Sequence, residues 1–255
     1  MEFYATLGDA CAKRKTLEQL FQAGMTGVRV NLSHTSLPLC ASLLKKSYWP
    51  AARKAKGEGA HLILDMQGPE LRVGELPQPI SLKEGDEILL GDGGIPIPRA
   101  VLEMARPGQE ILIDDSALLL EVRRSDPSVL LCRVARGGAL RSKKGLTLLG
   151  AQVDTPTLTR SDRENLARAG EFGVTHILQP FVRDRRDVET LRQTLAGLGL
   201  PGVQIMAKIE NQQGVDHLDE IMEAADQVCI ARGDLGSAIP LWKLPRLQKE
   251  IARRC

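Results

Sequence analysis

The feature that most constrains this chain is a rhythm of short, almost wholly apolar runs separated by segments of helical spacing. Residues 3–7, 28–32 and 61–64 read as strands. Between them, residues 16–23 read as a helix with Leu17, Leu20 and Phe21 on one face and Gly24 as its stop, and a second helical segment runs to about residue 56. Strands that are apolar nearly throughout, and joined through helices, belong to a parallel sheet covered on both faces; a sheet wetted on one side would alternate instead.

From about residue 69 to 150 the rhythm breaks. Runs rich in Leu, Ile and Val at 87–90, 110–113, 117–122 and 129–134 are bounded by Gly-Asp-Gly-Gly, Arg-Pro-Gly, Ser-Asp-Pro and Arg-Gly-Gly. Such punctuation marks tight turns between short strands, so this stretch reads as a small all-β module. The α/β rhythm then resumes. A helix begins near Thr159, whose side chain is placed to cap it, with Asp162 three residues on. Strands follow at 176–178, 204–207 and 227–231, helices at 187–195 and 214–225, and a basic helix at 244–254. Six βα units predict an α/β fold of the (β/α)8 TIM-barrel type, incomplete because eight units close a barrel. Residues 1–69 and 149–255 form this discontinuous barrel domain, and residues 70–148 an inserted small β-barrel lid.

Composition narrows the partners. The 34 basic and 32 acidic residues leave a formal charge of +2, which gives no electrostatic case for nucleic acid or a membrane surface. No apolar run approaches the roughly 20 residues a spanning helix needs, and the opening residues lack a basic-then-apolar leader. Cys11, Cys40, Cys132, Cys229 and Cys255 are scattered without a CxxC pair, so neither a disulfide framework nor a structural zinc site is expected. Reduced thiols in a cytoplasmic protein are the expectation.

In a parallel barrel, chemistry gathers at the carboxyl ends of the strands, where residues two apart share a face. The second strand ends with Arg29, Asn31 and Ser33 on one side, then His34. A cation, an amide and a hydroxyl in line suit an anion together with a hard cation that takes oxygen ligands, or are simply a strand running into a polar loop. The third strand ends Asp65-Met66-Gln67-Gly68-Pro69-Glu70-Leu71-Arg72. Asp65 either completes an oxygen cage beside Asn31 and Ser33 or caps a turn. The fifth strand places Lys208 and Glu210 on one face. That lysine either snorkels to solvent or stabilises charge developing on a substrate oxygen. After the sixth strand, Arg232 and Asp234 are expected to share a face, with Gly233 between them letting backbone approach a ligand. Glu210 and Asp234, on neighbouring strands, are the kind of carboxylate pair that binds magnesium, against the alternative of an ordinary Gly-Asp turn.

The segments YATLGDAC, GVRVNLSH, LDMQGPELR, SKKGLTLLGAQVDTPTLT, KIENQQGV and ARGDLGSAIP, in this order and spacing, resemble the successive motifs of the pyruvate kinase family. The resemblance implies transfer of a phosphoryl group from phosphoenolpyruvate to ADP, giving pyruvate and ATP in glycolysis, by a cytoplasmic homo-oligomer. It implies Mg2+ (or Mn2+) and K+ as cofactors. It assigns Arg29 to the phosphoryl group and Lys208 to the transferring phosphoryl and the enolate, with Gly233 touching substrate through its backbone. Glu210 and Asp234 would hold magnesium; Asn31, Ser33, Asp65 and the Met66 carbonyl would hold potassium, with Glu70 matching the acidic residue of potassium-dependent members. Arg72, His34 and Lys144 would contact the nucleotide. The chain departs from the family pattern at Asp9, where proline is usual, at Gln67 for lysine and at Ala238 for glutamate. The family's seventh and eighth strands, its enolate-protonating threonine and its C-terminal domain lie outside this sequence. Two other readings compete: a pseudoenzyme or binding module that holds phosphoenolpyruvate and magnesium without turnover, and a different barrel enzyme acting on a metal-bound enolate. The β insert and the Arg29–His34 strand end speak against the last.

Overall fold

A computed structural model describes residues 1–57, 59–151 and 155–255. Along the chain come the strand Tyr4–Thr6 (β1), the helix Arg14–Gln22 (α1), Gly27–Asn31 (β2), Leu37–Leu43 (α2), a π-helical turn at Leu44–Tyr48, Trp49–Lys56 (α3) and His61–Asp65 (β3). Next are Ile80–Leu82 (β4), Glu87–Gly91 (β5), Arg99–Met104 (α4), Glu110–Ile113 (β6), Leu118–Ser125 (β7), Val129–Arg136 (β8), Gly138–Leu140 (β9) and Leu146–Leu148 (β10). The remainder comprises Arg160–Leu166 (α5), His176–Gln179 (β11), Arg185–Gly197 (α6), Gln204–Ile209 (β12), Gln212–Asp216 (α7), Leu218–Ala224 (α8), Gln227–Ile230 (β13), Arg232–Ala238 (α9) and Leu244–Arg254 (α10). Among the described residues no helix is long and apolar enough to cross a membrane.

The chain divides into two compact units. One holds Met1–Gly68, Thr157–Ile230 and Ile251–Cys255; the other holds Pro69–Pro156 and Ala231–Glu250.

The first unit is built on a curled, wholly parallel six-stranded sheet in the order β1-β2-β3-β11-β12-β13. Its pleat sorts the side chains. Val28 and Val30, Leu62 and Leu64, and Ile205, Ala207 and Ile209 are buried on the face that the helices cover. α1 contributes Leu17 and Phe21 to that layer, and α6 contributes Val188, Leu191 and Leu195. Each such side chain stabilises the fold by about 1.5–3 kcal/mol through burial. The opposite face carries Arg29, Asn31, Asp65 and Lys208, and the register puts Asn31 against Asp65 and Lys208 against Cys229.

The exit from β3 and the start of α5 share one carboxylate. Thr159 accepts a hydrogen bond from the Asp162 amide at 3.1 Å, while the Thr159 amide donates to Asp162 Oδ2 at 2.9 Å, a reciprocal cap of two otherwise orphaned donors. Asp162 Oδ1 also accepts from the Gly68 amide at 3.2 Å. Gly68 stands at φ +65°, in the left-handed region that a side chain resists, with Pro180 against it.

The second unit has a five-stranded antiparallel sheet, β10-β6-β7-β8-β5, and the separate pair β4–β9. Alternate residues such as Leu118, Leu120, Val122, Leu130, Cys132 and Val134 point into its core. Burial pushes the Cys132 thiol up to about 12, so it is an inert apolar side chain there. The short strands β4, β9 and β10, of three residues each, lie outside the apolar runs that read as strands.

One local expectation is corrected. Arg232 and Asp234 do not extend a strand: β13 stops at Ile230 and Arg232–Ala238 is helical. Residues two apart on a helix lie about 200° apart, so the two do not share a face as strand neighbours would.

Replacing Thr159 with Ala is expected to lower stability by about 1 kcal/mol. Asp162→Ala is expected to cost more, about 2 kcal/mol, because the buried Gly68 amide also loses its acceptor. Urea midpoints of the two variants against the parent chain measure both.

Candidate phosphoryl- and cation-binding site

The carboxyl ends of β2, β3 and β12 meet in one run of charges. Arg29, on β2, donates through Nε to Asp65 Oδ2 at 2.7 Å, and its Nη2 contacts the same oxygen. Lys208 Nζ lies 3.7 Å from Asp65 Oδ1 and 2.5 Å from Glu210 Oε1. Sign therefore alternates from Arg29 through Asp65 and Lys208 to Glu210. Both carboxylates are buried, with side-chain exposures of 3% for Asp65 and 0% for Glu210, while Lys208 is at 14% and Arg29 at 32%. Burying carboxylates this fully is costly unless cations are placed against them, and the ladder supplies those cations.

Two further groups hold the ladder in place. Thr6, at the end of β1 and opposite Arg29 in register, accepts from Arg29 Nη1 at 3.0 Å. The Phe181 amide donates to Glu210 Oε2 at 2.8 Å, and Phe181 stands at φ +54°, a left-handed conformation costly for a residue with a side chain. Sequence reasoning missed both. Thr6 was legible in principle, since it ends the first strand on the same face as Arg29. A backbone amide such as that of Phe181 leaves no signature in the sequence.

Asn31 Oδ1 accepts from the Ser33 amide at 3.0 Å, so Ser33 sits in a turn beyond β2 rather than on the strand. The Leu32 amide donates to the Asp65 carbonyl at 2.9 Å and the Met66 amide to Leu178 O at 3.1 Å, which fixes Met66, itself buried, beside Asp65. Asp65 Oδ1 accepts no hydrogen bond among the described residues and is a buried acceptor on the strand position paired with Asn31. Among the described residues no three His, Cys, Asp or Glu side chains converge. A cation here would take amide, hydroxyl, carbonyl or ligand oxygens, the donor set of a hard ion. His34 is exposed at the end of the same turn. Cys229 faces Lys208 across the strands, and burial raises its thiol above the ordinary range.

The remaining expected residues fall in the second unit and form contacts there. Arg72 pairs with Glu70 and donates through Nη1 to Lys143 O at 2.7 Å. Burial raises the Glu70 carboxyl, opposed by Arg72 and reinforced by Asp234 and Asp115. Lys144 Nζ pairs with Asp114 Oδ1 at 2.8 Å, at the head of three consecutive left-handed residues, Asp114, Asp115 and Ser116. Ser116 Oγ donates to Ser237 Oγ of α9 at 3.2 Å. Asp234 lies in the first turn of α9, and a Cβ placed on Gly233 would meet no atom within 4 Å, so its backbone is open to close approach. The part of the SKKGLTLLGAQVDTPTLT motif at residues 152–154 lies outside the described residues.

A curled parallel α/β sheet with its charged groups collected at the strands' carboxyl ends defines a barrel-class α/β protein. The family model described as pyruvate kinase, barrel domain, matches residues 2–255, and the chain belongs to that family. It is 34% identical over 257 residues to the pyruvate kinase of Chlamydia pneumoniae, covering 97% of this chain and 53% of that protein. It is 34% identical over 254 residues to the pyruvate kinase of Aeropyrum pernix, covering 98% and 55%. To the human pyruvate kinase PKLR it is 34% identical over 280 residues, covering 98% and 47%. The chain thus spans about half the length of the curated relatives it matches.

Lys208→Met strips the shared cation from two buried carboxylates and is expected to destabilise the first unit by about 3 kcal/mol or more. Adding Glu210→Gln to that variant should recover part of the loss by removing one uncompensated charge. Thermal melts of the single and double variants read both effects.

Proposed function

We propose that this chain carries out the pyruvate kinase reaction, moving phosphoryl from phosphoenolpyruvate to ADP to give pyruvate and ATP. The observation that carries the reading is the alternating ladder Arg29–Asp65–Lys208–Glu210 at the carboxyl ends of three parallel strands. Phosphoryl transfer asks a protein mainly for positioning and charge neutralisation, with little covalent chemistry of its own. Arg29 is the partner for the phosphoryl oxygens. Lys208 neutralises charge on the transferring group and on the enolate oxygen left behind, an electrostatic role that a dry site strengthens.

Magnesium would be held by Glu210 and, on the family pattern, by Asp234, both hard oxygen ligands, and the ion would neutralise phosphate charge. Potassium fits Asn31, Ser33, Asp65 and the Met66 carbonyl, since Asp65 Oδ1 is buried and accepts no hydrogen bond among the described residues. Glu70 belongs to the same requirement. Arg72, His34 and Lys144 are the nucleotide contacts, Gly233 a backbone contact to substrate, and the β-rich residues 70–148 the lid domain. The working form is a homo-oligomer in the cytoplasm.

Calorimetry tests the site and a coupled pyruvate assay tests turnover. Phosphoenolpyruvate binding is expected to need magnesium and to be stronger in potassium than in sodium or lithium. Asp234→Ala is expected to weaken it at least roughly tenfold, about 1.4 kcal/mol. Binding indifferent to chelator and to Asp234→Ala would overturn the reading. Magnesium-dependent binding with no pyruvate formed would favour the ligand-holding pseudoenzyme.

A further inference from the structure

The amino end of the same sheet face carries a second cluster that the proposed chemistry does not use. In the parallel register Tyr4 of β1, Gly27 of β2 and His61 of β3 lie in one row. Gly27 has no side chain, and a Cβ there would collide with the His61 backbone. Tyr4 therefore reaches across the empty position: its hydroxyl lies 2.9 Å from His61 Nδ1, and its ring stacks on the imidazole at 6.0 Å and 24°. The neighbouring strand adds His176 of β11, whose ring centre is 4.5 Å from that of His61. His176 is 3% exposed.

The hydrogen bonds fix the protons. The Tyr4 hydroxyl donates its single hydrogen to Glu2 Oε2 at 2.7 Å, so it must accept from His61 Nδ1–H. Thr175 Oγ1 accepts from the Leu62 amide at 2.9 Å and donates to the Leu62 carbonyl at 3.2 Å, which leaves it to accept from His176 Nδ1–H at 2.7 Å. Both rings thus carry a hydrogen on Nδ1, and His176 Nε2 is buried with no partner at hydrogen-bonding distance among the described residues.

We propose that His61 and His176 form a proton-sensitive latch joining the amino ends of β3 and β11, closed while both imidazoles are neutral and released when both are protonated. Half-buried His61 has Glu2 close by through Tyr4. Protonating both rings would put two cations with ring centres 4.5 Å apart, one of them enclosed. Gln204 of β12, Glu2 and Asp226 favour a charged His176 but are outweighed by burial and His61. Gln204 also accepts from Gln227 at 3.1 Å, and Asp226, before β13, is engaged by the Ile205 amide at 2.7 Å and Arg192 at 3.1 Å. Glu2 is held by Tyr4, and Thr175 is neutral. Burial, and then the charge of His61, lower the His176 imidazole below its ordinary range. A base whose folded value is lowered gives stability that is full above about pH 6.5 and is lost as pH falls through the folded value. Opening should begin at the bonds beside the pair, Leu62 N–H to Thr175 Oγ1 and Gln204 N–H to Thr175 O.

Histidine-labelled NMR on the full chain tests the latch. His176 is expected to titrate below the ordinary imidazole value and to move upward in His61→Phe. Amide exchange at Leu62 and Gln204, relative to Leu120, is expected to rise as pH falls from 7.5 to 5.5. In His176→Phe, which keeps a ring but no proton site, that rise should vanish. The proposal is overturned if His176 titrates at or above the ordinary value, if His61→Phe leaves it unmoved, or if His176→Phe opens equally in acid. Should His176→Phe not fold, the titration of the parent chain and of His61→Phe decides.

Discussion

Buried carboxylates need neighbouring cations to neutralise them, and the carboxyl end of the parallel sheet is organised around that requirement. Removing an ion from water costs several kcal/mol even after relaxation, and only well-placed opposite charge offsets it. Arg29, Asp65, Lys208 and Glu210 meet the condition by alternating in sign along a path that runs from β2 and β3 past β11 to the end of β12. An apolar set of the same volume would serve stability as well or better. Asp65 is the hinge of the arrangement. One of its oxygens is committed to Arg29, and the other faces Lys208 without a hydrogen bond among the described residues.

The backbone delivers this arrangement through register. A parallel sheet repeats every two residues, so a polar residue at one strand's end shares a face with its partner on the next strand. Asn31 opposes Asp65, and Lys208 opposes Cys229, without any loop having to bring them together. Loops enter only as restraints. The Asx-type bond of Asn31 to the Ser33 amide shapes the exit from β2. The strained Phe181 turns its amide toward Glu210. Strain at that residue beside a buried carboxylate is consistent with a site whose geometry is over-determined by its surroundings.

Much of this was legible in the residues alone, and the reason is periodicity. The strands at β2, β3, β11, β12 and β13, the Thr159 cap and the basic helix α10 follow from apolar spacing and capping chemistry, because each is local. Arg29, Asp65, Lys208 and Glu210 stood out as polar residues closing apolar runs. What the sequence hid was of three kinds. Short strands such as β9 lie outside the apolar runs that read as strands. The helical turn at Arg232–Ala238 follows a glycine-containing polar run that reads equally as a strand exit, so the relation of Arg232 to Asp234 was misjudged. The Tyr4–His61–His176 row depends on the empty position at Gly27, a contact across 57 residues that no local pattern encodes.

That row and the charged ladder share one face of one sheet, and together they depart from what fills most barrels. Barrel interiors are packed mainly with branched aliphatic residues. Here the row beginning at Tyr4 and the positions beyond it carry phenol, imidazole, amide, guanidinium, carboxylate and ammonium groups. A polar face is more exacting than an apolar one, because each group needs a particular partner rather than any neighbour of suitable size. Its effect on register is correspondingly strong. A one-residue slip of β3 would turn Leu62 and Leu64 onto the polar face and bury His61 and Asp65 among the apolar side chains of the helix layer. It would cost the Tyr4 contact at one end and the Arg29 contact at the other at the same time. Both ends of the strand therefore enforce the same alignment, and the hydrogen-bonded cluster at the amino end helps to hold the charged site at the carboxyl end in register.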